Sequence, residues 1–165
     1  MTFQVNDNSH RVNMPINSNN SIVDVVFSSI LQKYGSHIDV SLYHPQEVIV
    51  VLVVHSSGLI DNGGFEYLFS ASFDGDSDFK ITAQSHLELG LQLGYKSFQE
   101  AFSTFPGNVI PFDPTDRLSQ YEQADKDFRI KINKRYWKED EDGGRQKKME
   151  EYINKNADLF SQYIK

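Results

Sequence analysis

The sequence contains no cysteine. That removes disulfides, thiolate metal sites and cysteine nucleophiles at once, and it suits a reducing compartment. Tryptophan occurs once, so an aromatic core has to be built from the 12 Phe and 8 Tyr. Long hydrophobic runs are missing too. The longest, "VIVVLVV" (Val48 to Val54), falls well short of the ~20 apolar residues a membrane-spanning helix needs. The opening "MTFQVNDNSHRVN" lacks the basic-then-apolar order of a signal peptide. These absences lead to the expectation of a cytoplasmic protein with no membrane association.

Basic charge is the other shortage. The 165 residues carry 23 acidic and 16 basic side chains, a net of −7. Residues 1–112 hold 11 acidic and 4 basic groups, whereas residues 113–165 hold 12 of each. An acidic body repels nucleic acid and anionic membrane and favours a basic partner. One basic–aromatic run, "RIKINKRYWK" (Arg129 to Lys138), is followed at once by "EDED", which matches its charge locally. Direct nucleic-acid binding is therefore not expected.

What is present reads as helix. Residues 1–20, rich in Asn and Ser, form a flexible N-terminal arm in this reading, and residues 21–165 form the folded domain. Ser21 and Asp24 have capping-box spacing ahead of "IVDVVFSSILQKYG", with Gly35 as a stop. "PQEVIVVLVV" is β-branched enough to favour a buried strand on propensity, although Pro45 and Glu47 suit the first turn of a helix. The leucines of "HLELGLQLG" (His86 to Gly94) alternate as in a strand, yet Ala83, Leu87 and Leu91 form a helical stripe. Phe98, Phe102 and Phe105 repeat at helical spacing up to Pro106. From Thr115, Leu118, Tyr121, Phe128, Ile132 and Tyr136 continue one helical pattern. Met149, Ile153, Phe160 and Ile164 mark the last and clearest helix.

Motifs with chemistry are few. Asn62-Gly63-Gly64 lacks the further glycines and the lysine of a phosphate loop, and Asp61 and Glu66 beside it would repel an anion. It reads as a turn, with Asn62 or Gly63 left-handed and Phe65 entering the core. Asp74, Asp76 and Asp78 match the first three positions of a calcium loop. However, Phe79 and Ser85 stand where that loop needs Gly and Glu, so an EF-hand is rejected. The histidines His10, His37, His44, His55 and His86 include no metal-binding pair spacing, and there is no serine elbow. No metal, no cofactor and no catalytic residue is expected.

One resemblance narrows the rest. "VIVVLVVHSSGLIDNGGFEYLF", "HLELGLQLGYKSF" and "EAFSTFPGNVIP", in this order over about residues 45–140, resemble the bacterial family known as domain of unknown function 4375, which includes a DNA-mimic protein. The resemblance implies an all-α fold, a single compact helical domain of about six to eight helices, and a helix at Pro45 to Val54. It also implies a break between packed helices at Asn62, Gly63 and Gly64, with Phe65 in the core. Ala71 and Ser72 depart from the family pattern, which usually has an Asn there. Mimicry would rest on the acidic side chains Asp61, Glu66, Asp74, Asp76, Asp78 and Glu88, offered to the basic surface of a DNA-binding protein. The alternative is a helical adaptor or immunity-type protein binding through exposed aromatics. The oligomeric state is left open, a homodimer included.

Overall fold

Pro45, Gln46 and Glu47 start the longest helix. Pro45 has its ring at the first helical position, where no amide is needed, and the Glu47 carboxylate accepts from the His44 amide at 2.9 Å. The computed structural model describes residues 21–164, which contain eight α-helices and no strand. The N-terminal arm read at 1–20 lies outside the described residues. In order, the helices are α1 (Ile22–Tyr34), α2 (Pro45–Phe69), α3 (Lys80–Glu88), α4 (Gln92–Phe102), α5 (Pro114–Glu122), α6 (Lys126–Lys138), α7 (Gly144–Lys155) and α8 (Ala157–Phe160).

Helix α2 is the axis of the fold. Val48 through Val53 are all buried, and α1, α3, α5 and α6 pack against α2 along its length. A helix apolar on every side is stable only when covered on every side. This corrects the strand favoured by propensity. β-Branching costs a helix only a few tenths of a kcal/mol per residue. Burying each Val or Ile returns roughly 1.5–3 kcal/mol, so tertiary burial decides. By length and composition alone α2 could cross a bilayer, but most of it is enclosed by the other helices.

Near its end α2 kinks at the glycine pair. Gly63 remains on the negative side at φ −158°, while Gly64 has φ 69° and ψ −167°, a region open essentially to glycine alone. Neither Asn62 nor Gly63 takes the expected left-handed conformation; the positive φ falls on Gly64 instead. Asn62 instead bonds backwards, its Nδ2 donating to the Gly58 carbonyl at 2.6 Å. The kink frees the Phe65 amide, and Asn133 of α6 accepts it at 3.1 Å through Oδ1. A Cβ on Gly64 would lie 2.3 Å from Asn133 Nδ2, so the two positions fit only as a pair. Phe65 then enters the core, edge-on to Phe98 at 5.1 Å and to Tyr136 at 5.8 Å.

The other ends follow local chemistry. Ser21 and Asp24 form the expected capping box, and Gly35 closes α1. The leucine-rich stretch forms the α3–α4 junction, with Leu89 and Leu91 buried at the turn. The helical pattern from Thr115 does not run through: Asp125 caps a new helix, accepting from the Phe128 amide at 2.8 Å. Likewise the C-terminal helix stops at Lys155 and restarts at Ala157.

Candidate functional site

The six acidic residues singled out in the sequence take four different roles. Asp61 pairs with Arg145 at 2.7 Å and Glu66 with Arg129 at 2.5 Å. Asp78 pairs with Lys80 at 2.6 Å. Asp74 is exposed and meets His37 at 2.9 Å, an arrangement that raises the His37 pKa above its usual value. Glu88 is exposed near the end of α3. Asp76 is only 2% exposed. Its carboxylate accepts from the amides of Ile81 and Thr82 at 2.9 and 2.8 Å, and from the Thr82 hydroxyl at 2.6 Å. It secures the first turn of α3, while burial pushes its pKa up to about 6. With Asp76 turned inward, Asp74, Asp76 and Asp78 do not converge. Among the described residues, no three His, Cys, Asp or Glu side chains are grouped to hold a metal ion.

Acidic side chains are also dense along the chain beyond these six. Between residues 61 and 127 there are twelve acidic and four basic side chains, a net of −8. The sequence division at residue 112 hid this by averaging Asp113, Asp116, Glu122, Asp125 and Asp127 with the basic run that follows. These five are all exposed. Asp113 caps α5, accepting from the amides of Thr115 and Asp116 at 2.8 and 3.2 Å.

The segment 72–77 and the start of α5 enclose a half-open groove of about 480 Å³, lined by Phe73, Asp74, Ser77, Phe112, Pro114 and Arg117 among others. It adjoins a smaller depression of about 260 Å³ that reaches Leu118 and Glu122. Arg117 underlies the groove, 1% exposed and stacked 4.9 Å from the Phe79 ring. Among the described residues it meets no carboxylate. Nε donates to the Phe69 carbonyl at 2.8 Å and Nη2 to that of Ala71. Nη1 reaches the carbonyls of Ser77, Pro111 and Phe112 at 2.8, 3.1 and 3.2 Å. One guanidinium thus ties the end of α2 to both walls. Sequence reasoning missed this groove. Its signal was "PFDP", an aromatic ring between two prolines immediately before a capping Asp.

A second polar group is closed to solvent. His86 Nδ1 lies 2.9 Å from the Thr82 carbonyl, which can only accept, so Nδ1 carries the proton. Nε2 then accepts from the Tyr136 hydroxyl at 2.9 Å, and Ser57 donates to the Tyr136 oxygen at 2.8 Å. Burial lowers the His86 pKa to about 4 and raises that of Tyr136 to about 12. The chain Ser57–Tyr136–His86 has the residue types of a proton relay. It is enclosed by the aromatic core, and its polar atoms satisfy one another.

This helical frame, with its kinked central helix and its α6 partner, matches the family model described as DMP19-like protein over residues 41–156, more than half of the chain. The chain belongs to the DMP19-like family. DMP19 is a family of DNA mimics, generally binding proteins without enzymatic activity. The match covers the kink, the groove and the buried His86 chain alike. No curated protein and no solved structure matches the sequence.

Proposed function

We propose that this DMP19-like protein is a cytoplasmic, non-enzymatic DNA mimic that presents acidic surface to a basic DNA-binding protein. The observation that carries the reading is the concentration of charge, −8 within residues 61–127 against a total of −7. Not all of it is available. Asp61, Glu66 and Glu100 pair with arginines, Asp78 pairs with a lysine, and Asp76 is buried. Asp74, exposed although it meets the equally exposed His37, remains on the surface with Glu88, Asp113, Asp116, Glu122, Asp125 and Asp127. Duplex DNA carries one charge per ~1.7 Å, so these carboxylates could imitate about 12 Å of it. The reading is therefore of a local mimic that copies a few phosphates, not of a decoy spanning the molecule.

Affinity capture from a lysate along a salt gradient tests this, with duplex DNA added as competitor. The expected partner is a DNA-binding protein displaced by the DNA and released as salt rises. Retention at about 1 M salt, where the screening length is only ~3 Å, would overturn the reading. It would favour the adaptor alternative instead, for which the exposed Tyr67 (54%) on α2 and Trp137 (40%) on α6 are the supporting observation.

A further inference from the structure

Phe112 is exposed to 81% and Val109, three residues before it, to 71%. Isolated exposed apolar side chains are ordinary. Phe112 differs in how its backbone is held. Prolines flank it at 111 and 114, and Arg117 Nη1 bonds the carbonyls of both Pro111 and Phe112 from below. A buried guanidinium thus fixes a loop whose largest ring points away from the core. A loop held this way has little backbone freedom left to lose on binding, which lowers the cost of using its exposed ring as an interface anchor.

The surroundings say what it would anchor. Asp74 stands on one wall of the groove and Asp113 directly follows Phe112. Asp116 lies in the first turn of α5, and Glu122 lines the adjoining depression. The cation lining the groove, Arg117, is buried and committed to five carbonyls. An anionic strand would be repelled here. An uncharged apolar peptide would desolvate carboxylates without pairing them.

We propose that the groove beside Phe112 receives a short basic peptide segment of a protein partner. One of its apolar side chains packs on Phe112, and its Lys or Arg side chains meet Asp74, Asp113, Asp116 and Glu122. This rests on the reading of the protein as an acidic binder of basic proteins, and it places the contact.

The test pans a displayed library of random 12-residue peptides against the full chain at low salt. The expected winners combine Lys or Arg with at least one large apolar residue. Phe112→Ser should weaken a selected peptide about tenfold or more, the loss of an interface anchor. The double variant Asp74→Asn/Asp116→Asn should weaken it at low salt and much less at high salt. Trp137→Ser should leave binding unchanged, and unaltered melting temperatures would show that the variants fold. Basic, salt-sensitive peptides indifferent to Phe112→Ser would overturn the groove while sparing the general reading. Peptides that are neither basic nor salt-sensitive would overturn both. A selection that enriches nothing would also overturn the groove.

Discussion

Gly64 and Asn133 are best understood as one structural unit split between two helices. Gly64 provides backbone angles that other residues reach only at a cost of ~1–3 kcal/mol. Asn133 gives the released Phe65 amide an acceptor. Gly64→Ala should be severely destabilising, because strain adds to a Cβ set against the Asn133 amide group. Asn133→Ala should cost about 1–3 kcal/mol, the penalty of a buried donor left unpaired. In the double variant the clash with Asn133 is gone, so its loss should be smaller than the sum of the two. Urea unfolding of the three variants and the parent checks this. Full additivity would mean that the two residues act independently.

Among the elements, those with a local chemical origin were legible in the sequence, and those that depend on distant packing were not. Ser21, Asp24 and Gly35 mark α1 because caps involve neighbouring residues only. Pro45 and Glu47 were equally local, yet the β-branched run beyond them outweighed them on propensity. The outcome was set by how completely α1, α3, α5 and α6 cover α2. Asp125 could be seen in the sequence as a helix cap, but the apolar spacing continues through it and hid the break between α5 and α6. Asp76 was grouped with Asp74 and Asp78 because sequence reports spacing and not direction. The groove was hidden most deeply, since the Arg117 partners are carbonyls from three segments and carbonyls leave no trace in composition. That dependence can be tested. Arg117→Lys keeps the charge and loses the fork that spans those segments, so it should cost several kcal/mol and loosen the loops at 70–77 and 109–113. Hydrogen exchange at those amides reads the loosening. Unchanged protection there would mean that the loops are held by something other than Arg117.

Across the whole molecule, acid stability sets two buried groups against each other. His86 has a folded pKa of about 4 against an ordinary 6.5. Between those values the unfolded chain binds the extra proton, so this group makes stability fall as pH drops from 6.5 towards 4. Asp76 works in the opposite direction. Its folded pKa is about 6 against an ordinary 3.8. Here the folded chain holds the extra proton between the two values, so its contribution is full below 3.8 and is lost as pH rises through 6. Each displacement corresponds to about 3 kcal/mol at 1.36 kcal/mol per pKa unit, and the windows nearly coincide. The parent protein should therefore show little net change in urea midpoint between about pH 4 and pH 6 from these two groups. Asp76→Asn removes one side of the balance, and its midpoint should fall steadily on acidification. His86→Gln removes the other, and its midpoint should fall as pH rises over the same range. Equal slopes in both variants would show that neither group governs acid stability. The opposing slopes would show that the two buried groups act on acid stability in opposite directions. Partner binding in the Asp76→Asn variant should respond to salt as in the parent, because the Asp76 carboxyl is buried at the first turn of α3 and is no part of the acidic surface.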